Sequence, residues 1–320
     1  MKNIHKNYLL QAHSIAEKQF GKTFPNPSVG CIIVKKNKII AKSATGIRGR
    51  PHAEELALKK IGKNSKDSTM YVTLEPCYHK SKKGSCAEQI IKAGIKKIYI
   101  AKVDPDPRTN SKSINLFKKF SVKINLGITS KKTDNLNNFF FKSTLLKRPY
   151  IKVKMAVSKD YKISREDSSS KWISNKDSRL YSHFLRSQSQ ALLTTAKTII
   201  EDNPRLTVRQ KDKKIKRIPV LIIDKYLDIP ITSKIIKHAK KNDIIIFSSI
   251  KNKKYLKLRK LGCKIFLQKL NNTKNFNLKK IMKTIYYLNI NNIIVESGGV
   301  FFTNLIKNNL VDEFHLFKAP

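Results

Sequence analysis

The sequence has few cysteines and no long apolar run, and each shortage excludes a class of protein. Four cysteines in 320 residues cannot build the disulfide framework of a small secreted domain, so a reducing, cytoplasmic location is expected. No apolar stretch approaches the roughly 18 residues that a membrane helix requires. The N-terminal stretch MKNIHKNYLLQAHSIAEKQF also lacks the continuous apolar segment of a secretory signal. The motif G-x-G-x-x-G is absent, so no dinucleotide site can be inferred from that fingerprint.

Acidic residues are scarce as well: 22 Asp and Glu stand against 67 Lys and Arg, and the formal net charge is +45. Such a charge is typical of proteins that bind nucleic acids. However, the lysines are spread along the whole chain, and Lys, Ile and Asn, which A+T-rich codons encode, are abundant together. We therefore favour a mutational bias, and we expect no specific nucleic-acid partner and no membrane partner. The charge would still strengthen contacts with a phosphorylated ligand.

Short β-rich runs alternate with helical patterns along the chain, which predicts an α/β fold with mostly buried strands. The alternation resets near residue 146, where Pro149 interrupts the pattern. We therefore predict two domains, residues 1–146 and residues 147–320. In the first, the apolar pattern predicts helices near 8–20, 52–61 and 86–94 and strands near 29–34, 38–43, 70–74 and 96–103. In the second, it predicts strands near 150–157, 191–194, 219–223, 243–247, 263–267, 292–295 and 313–317.

One imidazole and two thiols in the first domain have the character of a catalytic zinc site. Such a site takes three protein ligands and keeps a fourth position for water. His52 lies at a predicted helix start, Cys77 follows a predicted strand, and Cys86 opens the next helix. Two helix N-termini at one sheet edge would bring the three groups together and stabilise the thiolates. His79 is a competing ligand, but it lies so close to Cys77 in sequence that a substrate contact or a solvated loop position is preferred.

Glu54 gives this group a catalytic character, because a structural zinc site needs no acid–base residue. It follows His52 by two positions, so it need not bind the metal, and it could carry a proton from water to a leaving amine. The order H-x-E and then P-C is that of zinc nucleobase deaminases, although here the second cysteine lies nine positions after Cys77 rather than three. A lone H-x-E motif is common by chance, so only the combination predicts the site. Cys31 and Cys263 are expected in the core.

Several longer motifs resemble the bifunctional riboflavin-biosynthesis deaminase–reductases. In the first half these motifs are PNPSVGCIIVK (25–35), PHAEELAL (51–58), YVTLEPC (71–77) and DPDP (104–107). In the second half they are SSKWIS (169–174), LRSQSQALLTTAKTIIEDNPRLTVR (185–209) and VESGG (295–299). The resemblance covers nearly the whole chain. The two sets of motifs, found together and in this order, identify the family more specifically than either set alone.

This resemblance implies a cytidine-deaminase-like three-layer α/β/α domain followed by a dihydrofolate-reductase-like α/β domain. Residues 1–146 would carry a zinc-dependent deamination of a phosphoribosylated diaminopyrimidinone to a uracil. Residues 147–320, a domain that would be short at its C-terminus, would carry an NADPH-dependent reduction of the opened ribose to ribityl. The implied partners are small phosphoribosyl-pyrimidine molecules, and a homo-oligomer stays open.

The resemblance also implies a set of residues for each ligand. Zinc would be bound by His52, Cys77 and Cys86, with Glu54 transferring protons. The first substrate would be held by Asn26, His79, Lys82, Asp104 and Asp106. NADPH would contact Ala156, Trp172, Thr198, Asp202, Gly298 and Gly299. The second substrate would contact Ser170, Arg186, Leu206, Arg209 and Glu296.

The chemistry of several of these side chains suits their implied roles. Arg186 and Arg209 offer planar guanidinium groups that can bind two phosphate oxygens at once. A glycine pair after a strand lets backbone N–H groups approach a cofactor phosphate. Taken alone, Trp172 would more often be a core residue, and either arginine would more often be a surface ion-pair partner. The whole set of family motifs, present in order, is what favours ligand contacts for Trp172, Arg186 and Arg209.

The sequence departs from the family pattern at four places. Gly84-Ser85 replaces a proline pair before the second zinc cysteine, and RTNSKS (108–113) replaces a glycine-rich loop. Tyr161 stands where a glycine is usual, and the chain stops at FHLFKAP, where relatives continue. If the turn at Tyr161 needs a positive φ, this residue would be strained.

Two other functions stay open at this point. The second domain could be a degenerate scaffold beside an active deaminase, since two of the departures fall within it. The positive charge could instead indicate a deaminase that acts on tRNA or another nucleic acid, although the reductase-like second half argues against this. A non-enzymatic, zinc-stabilised protein is disfavoured by Glu54, because structural zinc sites use four protein ligands and no acid–base group.

Overall fold

The computed structural model describes residues 2–79, 84–127, 135–162, 175–209 and 215–319. The chain divides into two compact units, Met1–Leu146 and Lys147–Pro320. The first unit contains a five-stranded sheet and the second a seven-stranded sheet. Within the described ranges, every helix is too short or too polar to span a lipid bilayer.

The first unit has three layers. Its helices are α1 (Lys2–Glu17), α2 (Ala53–Ile61), α3 (Cys86–Lys92), α4 (Lys112–Lys119) and α5 (Asn138–Leu146). Its strands are β1 (Gly30–Lys35), β2 (Lys38–Ala44), β3 (Thr69–Val72), β4 (Lys97–Ile100) and β5 (Lys123–Leu126). The sheet has the order β2-β1-β3-β4-β5, with β1 antiparallel to β2 and β3, and with β3, β4 and β5 parallel. The loops after β3 and β4 therefore leave the same edge of the sheet.

Helices cover both faces of this sheet. On one face, α1 buries Leu9 and Ala12 against Ile32 of β1. On the other, the α2, α3 and α4 side chains Ala57, Ile90 and Phe117 pack into a second apolar cluster with Ile33 and Ile98. Lys36 and Asn37 join β1 to β2 with φ values of 47° and 59°, which suit a tight hairpin turn. The predicted first helix, hairpin, and helices at 52–61 and 86–94 are confirmed, whereas α4 and β5 were not predicted.

The second unit is a parallel α/β domain. Its strands are β6 (Tyr150–Val157), β7 (Ala191–Thr195), β8 (Val220–Ile223), β9 (Ile244–Ser248), β10 (Lys264–Leu267), β11 (Asn292–Val295) and β12 (Glu313–Lys318). Its helices are α6 (Lys176–Ser187), α7 (Ala196–Asp202), α8 (Lys234–Lys237), α9 (Ala239–Asn242), α10 (Lys253–Lys260), α11 (Leu278–Tyr287) and α12 (Gly299–Lys307). All seven predicted strands are confirmed.

The strand order in the second unit creates a crevice at one sheet edge. The order is β10-β9-β8-β7-β11-β6-β12, and every neighbouring pair is parallel. Strand β11 lies between β6 and β7. The connection from β7 runs to β8 on one side, whereas the connection from β11 runs past β6 to β12 on the other, so the connections leaving β7 and β11 diverge. Open parallel sheets bind ligands where the connections diverge, outside the carboxyl ends of the strands. The loops after β6, β7 and β11 meet at that place.

Tyr161 has a positive φ, as its place at a position where glycine is usual led us to suspect. Its φ is 62°, and it lies in a turn where the N–H of Ser158 donates to the carbonyl of Lys162 at 2.9 Å. The side chain is exposed, and the Nζ of Lys318 lies 4.0 Å from the ring centroid. The tyrosine is thus strained as anticipated, and a cation–π contact offsets part of that strain.

Candidate functional site

The three predicted zinc ligands converge in the first unit. The ligand atoms of His52, Cys77 and Cys86 lie within 4.8 Å of one another. The Nδ1 of His52 is 3.3 Å from the Sγ of Cys86, and the backbone N–H of Cys86 donates to the Sγ of Cys77 at 3.4 Å. One imidazole and two thiols at these separations suit a tetrahedral zinc ion, whose ligand bonds are about 2.0–2.3 Å long.

Local structure fixes the direction of each ligand. His52 is the N-cap of α2, Cys86 is the first residue of α3, and Cys77 lies in the loop that follows β3. The start of α3 is set by Ser85, whose Oγ accepts from the N–H of Glu88 at 3.1 Å while the Glu88 carboxylate accepts from the Ser85 N–H at 2.8 Å. This reciprocal capping shows how Gly84-Ser85 can replace the proline pair, because it still fixes the start of α3 at Cys86.

The two thiols differ in acidity. A hydrogen bond from the Cys86 thiol, supported by His52, lowers the pKa of Cys77 to about 4. The hydrogen bond to Cys77, together with burial, raises the pKa of Cys86 in turn. The pair therefore shares one proton, which a metal ion would displace because metal ligands must be deprotonated.

Glu54 lies beside the cluster without belonging to it. It sits in the first turn of α2 and is 4% exposed. Burial raises the pKa of its carboxyl group, while the charge of His52 opposes the shift. The group of possible ligand atoms found among the described residues contains His52, Cys77 and Cys86 only. A buried carboxyl group next to a metal centre is suited to proton transfer.

The described residues among those predicted to hold the first substrate, Asn26, His79, Asp104 and Asp106, lie in three loops. The Nδ2 of Asn26 donates to the carbonyl of Gly49 at 3.1 Å, and a Cβ at Gly49 would lie 2.4 Å from that nitrogen. Gly49 also has a φ of +84°, so glycine is needed at this position. The Nδ1 of His79 is 3.5 Å from the Oγ1 of Thr109. Lys82 lies outside the described residues.

Asp104 and Asp106 follow β4 and have different environments. Asp104 is buried, and burial raises the pKa of its carboxyl group to about 7. Burial opposes ionisation of Asp106 too, but hydrogen bonds from Arg108 lower the pKa of that carboxyl group below its ordinary value. The Nη2 of Arg108 donates to Asp106 at 2.6 Å and its Nε donates at 3.0 Å. The charges of Asp106 and Cys77 both act on His79, which places these residues in one neighbourhood.

Glu75 is a buried carboxylate that the sequence reasoning missed. Its Oε2 accepts from the N–H groups of Asp104 and Ser111, both at 3.1 Å, and its Oε1 accepts from the hydroxyl of Ser113 at 2.7 Å. It therefore ties the loop after β4 and the start of α4 to the loop that carries Cys77. The only signal in the sequence was its place inside YVTLEPC, two residues before Cys77.

Four of the predicted NADPH contacts, Ala156, Thr198, Gly298 and Gly299, lie at the carboxyl edge of the second sheet. Ala156 is near the end of β6, Thr198 is in the first turn of α7 after β7, and Gly298 is the N-cap of α12 after β11. A Cβ added at Gly298 would meet no atom within 4 Å, so the space before this helix start is open. Open space, helix N–H groups and hydroxyls suit a phosphorylated dinucleotide. Asp202 ends α7, and Trp172 lies outside the described residues.

Arg186 and Glu296, both predicted to contact the second substrate, bind each other. The Nε and Nη2 of Arg186 donate to the two carboxylate oxygens of Glu296 at 2.6 and 2.8 Å, and Nη1 donates to the carbonyl of Thr207 at 2.9 Å. Each side chain is 13% exposed. Because Glu296 engages the guanidinium fork, Arg186 is placed to orient Glu296. The prediction that Arg186 binds a sugar phosphate stays a prediction.

The segment that carries Leu206 and Arg209 is held by α6. Leu206 is buried with a φ of 46°, and the side chain of Arg209 is exposed. The backbone N–H of Arg209 donates to the Nδ1 of His183 at 3.2 Å. His183 was missed, although it precedes Arg186 by three positions and so shares one face of α6 with it. Ser170 lies outside the described residues.

Comparison with known proteins adds two family models. The model described as the cytidine and deoxycytidylate deaminase zinc-binding region matches residues 2–102. The model of the RibD C-terminal domain matches residues 149–320. Riboflavin biosynthesis protein RibD of Aquifex aeolicus is 35% identical, and the match covers 100% of this chain and 88% of that protein. RibD of Buchnera aphidicola is 32% identical, with 98% and 86% covered.

Solved structures are similar over the same length. RibD of Acinetobacter baumannii has a TM-score of 0.89 at 28% identity, covering 100% of this chain and 88% of that chain. A Thermotoga maritima protein described as a diaminohydroxyphosphoribosylaminopyrimidine deaminase/5-amino-6-(5-phosphoribosylamino)uracil reductase has a TM-score of 0.85 at 28% identity, with 99% and 87% covered. The predicted fold class, a deaminase-like domain followed by a reductase-like domain, is confirmed.

Proposed function

Because the chain belongs to the RibD family of riboflavin-biosynthesis proteins, we infer that it carries out both reactions of that family. It is a bifunctional enzyme that uses zinc and NADPH. The first reaction is the hydrolytic deamination of a phosphoribosylated diaminopyrimidinone, and the second is the reduction of the ribosyl group to ribityl. We assign the deaminase to residues 1–146 and the reductase to residues 147–320.

The observation that carries the deaminase assignment is the cluster of His52, Cys77 and Cys86 with buried Glu54 beside it. These three residues hold zinc, which when bound supplies a Lewis acid that brings the ionisation of water close to neutral pH. Glu54 takes a proton from the attacking water and passes it to the departing amino group, which leaves as ammonia. A carboxyl group in the first turn of a helix can serve both transfers without moving the backbone.

The loops around the cluster bind and orient the pyrimidine and its ribose phosphate. Asn26, His79 and Lys82 offer hydrogen-bond donors or a positive charge, and Asp104 and Asp106 offer carboxyl groups to the amino groups of the ring or to ribose hydroxyls. Asp106 is oriented by Arg108, whose Nε donates to both carboxylate oxygens at 3.0 Å and whose Nη2 donates to Oδ2 at 2.6 Å. Burial raises the pKa of the Asp104 carboxyl group to about 7. Glu75 acts through these residues as a positioning group, since it holds the backbone of their loop.

The reductase assignment rests on the crevice at the carboxyl ends of β6, β7 and β11. NADPH, when bound, supplies a hydride to the substrate. We assign Ala156, Trp172, Thr198, Asp202, Gly298 and Gly299 to NADPH. We assign Ser170, Leu206, Arg209 and Glu296 to the opened ribose and its phosphate. Arg186 holds Glu296 at the crevice, and the exposed guanidinium of Arg209 binds the phosphate.

The partners of this enzyme are small molecules. Its substrates are phosphoribosyl-pyrimidines, and we propose that it has no specific nucleic-acid partner. We place it in the cytoplasm, in keeping with four cysteines that are all free thiols. Its oligomeric state is open to measurement by light scattering.

The function is tested by metal content together with two separate assays. The purified protein should bind one zinc per chain, deaminate the first substrate, and oxidise NADPH when it is given the deaminated product. Cys86→Ser should lose most of the zinc and the deamination, because it removes one of three ligands. Cys263→Ser, which changes a buried cysteine of the second unit, is the control and should keep both. Full zinc occupancy in Cys86→Ser would contradict the assigned site.

A further inference from the structure

His183 on α6 has no assigned role in the second reaction, although it contacts the segment that carries Leu206 and Arg209. We propose that His183 is a positioning residue for the second substrate. Its neutral imidazole holds the backbone of Arg209, and protonation of the imidazole releases that backbone and weakens binding of the substrate phosphate. The inference rests on the proposed reductase function and adds a pH-dependent residue to it.

The segment from residue 206 to residue 209 depends on contacts with its neighbours. Leu206 has a φ of 46°, which is unfavourable for a residue with a side chain, so other interactions must hold this conformation. Val208 pairs with Lys216 through two backbone hydrogen bonds of 2.9 and 3.1 Å. These two contacts fix the middle of the segment and leave the residues on either side of Val208 to be held from elsewhere.

Helix α6 supports the segment at those two neighbouring residues. The Nη1 of Arg186 donates to the carbonyl of Thr207 at 2.9 Å. The backbone N–H of Arg209 donates to the Nδ1 of His183 at 3.2 Å. Because His183 and Arg186 are three positions apart on the helix, they leave it from the same face. The exposed guanidinium of Arg209 therefore depends on His183 for the position of its own backbone.

The contact with Arg209 requires a neutral imidazole. A backbone N–H can only donate, so the Nδ1 of His183 must accept with its lone pair, and the ring proton must be on Nε2. A protonated ring carries a hydrogen on both nitrogens and cannot accept. Protonation therefore removes the hydrogen bond and leaves two donors facing each other.

The charges around His183 favour the neutral form. Burial and the charges of Arg186 and Arg209 lower the pKa of the imidazole, and the opposing effect of Glu296 is smaller. These groups come from α6 itself, from the 206–209 segment and from the end of β11, and Lys154 of β6 acts on Glu296 from the same neighbourhood. The ring is therefore mostly neutral at pH 7 and gains its proton in solution more acidic than its ordinary pKa of 6.5.

The competing explanation is that His183 is itself a cation that binds the substrate phosphate beside Arg209. That role needs the protonated ring, because only the imidazolium carries a charge. The two explanations predict opposite responses to acid. A cationic His183 would strengthen substrate binding as the pH falls, whereas a neutral acceptor weakens it.

The first part of the test replaces the imidazole by groups that keep or remove the acceptor. Asparagine places its Oδ1 as many bonds from the backbone as the Nδ1 of histidine but gains no proton, and alanine offers no acceptor. With the deaminated substrate supplied directly at about pH 8, His183→Ala should raise the KM for this substrate about 3–10-fold, since one hydrogen bond to the segment is lost. The KM for NADPH and kcat should change less than about twofold. His183→Asn should recover most of the loss.

The pH profile then separates a protonation effect from a purely structural contact. The KM of the unmodified protein, divided by that of His183→Asn, should rise at least about threefold between about pH 8 and about pH 5, because only the imidazole gains a proton. This ratio removes the ionisation of the substrate phosphate, whose second pKa is about 6, since both proteins meet the same substrate. His238→Asn makes the same change at an exposed histidine of the second unit and should follow the unmodified protein.

Amide hydrogen exchange of the peptide that contains residues 206–209 measures the contact without catalysis. His183→Ala should speed exchange in this peptide, and His183→Asn should restore much of the protection at the same pH. A KM ratio that stays constant with pH, or one that falls in acid as a cationic His183 requires, would overturn the inference. So would unchanged exchange in His183→Ala. If the exchange results hold but the unmodified protein oxidises no NADPH, the reductase assignment fails and the inference about its substrate fails with it.

Discussion

The two units hold their sites in different ways. The metal centre of the first unit is built by backbone geometry. Two helix starts and one loop bring three ligand atoms within 4.8 Å of one another, and a capping box fixes the start of the helix that carries Cys86. The crevice of the second unit is spread over the ends of several strands. A side-chain ion pair, Arg186 with Glu296, joins segments that are 110 residues apart in the sequence.

This difference predicts different responses to substitution. In the first unit, the proposed proton carrier, Glu54, should be replaceable without disturbing the ligands, because each ligand has its own backbone support. In the second unit, Glu296, which we assign to the substrate, is also bound by Arg186 across the cleft, so loss of either residue should affect folding as well as chemistry. Substitutions that separate chemistry from stability therefore test the comparison directly.

The largest effect is expected from Glu54→Gln. The amide keeps the shape of the side chain but cannot carry a proton, so deamination should fall by at least about 10²–10⁴-fold. Zinc content and the thermal unfolding midpoint should stay close to those of the unmodified protein. Glu55→Gln, a change of the next carboxylate on the same helix, is the control and should keep most of the activity. Near-normal deamination by Glu54→Gln would show that another group transfers the proton.

The next effect is expected in the second unit, where Arg186→Ala should lower the free energy of unfolding by about 3–5 kcal/mol. The reason is that this change leaves the Glu296 carboxylate buried without its partner. Urea unfolding followed by circular dichroism measures the loss. The double change Arg186→Met with Glu296→Gln should recover much of the stability, because no buried charge remains. Equal stability of Arg186→Ala and the unmodified protein would mean that the ion pair does not hold the cleft.

The metal centre could be predicted from the sequence because its residues belong to short, local patterns. His52 and Glu54 share one helix start, and Cys77 and Cys86 flank one loop, so the combination of these motifs with the predicted helices and strands indicated the site. The seven strands of the second unit were also predicted, since each is a short run rich in apolar residues. The pairing of Arg186 with Glu296 could not be predicted, because it depends on β11 entering the sheet between β6 and β7. Helix α4 and Glu75 were missed for a related reason: their contacts form only when the loops after β3 and β4 meet.

A smaller and pH-dependent effect distinguishes the two aspartates of the first unit. The pKa of Asp104 is raised from 3.8 to about 7, so the folded protein holds this proton more tightly than the unfolded chain does. The free energy of unfolding should therefore fall as the pH rises from the ordinary pKa of 3.8 toward about 7. Relative to the unmodified protein, Asp104→Asn should become more stable between pH 5 and pH 7.

Asp106 provides the matched comparison. The pKa of its carboxyl group is lowered below the ordinary value. The ionised group therefore contributes its full share to the free energy of unfolding at pH 5, and this contribution is lost only in more acidic solution. Asp106→Asn should therefore be less stable than the unmodified protein by a constant amount between pH 5 and pH 8, as measured by urea unfolding. Parallel pH profiles for the two variants would contradict the assigned environments.

The central claim is that one chain carries two chemically independent sites. The most direct test supplies the deaminated substrate to zinc-depleted protein and follows NADPH oxidation by absorbance, with Glu54→Gln measured in parallel. The account predicts that deamination is lost in both cases. The rate of NADPH oxidation should stay within about twofold of the rate of the zinc-loaded, unmodified protein, which corresponds to a difference of about 0.4 kcal/mol in barrier height. A well-folded protein that oxidises no NADPH under these conditions, with or without zinc, would contradict the account and leave a deaminase joined to an inactive second domain.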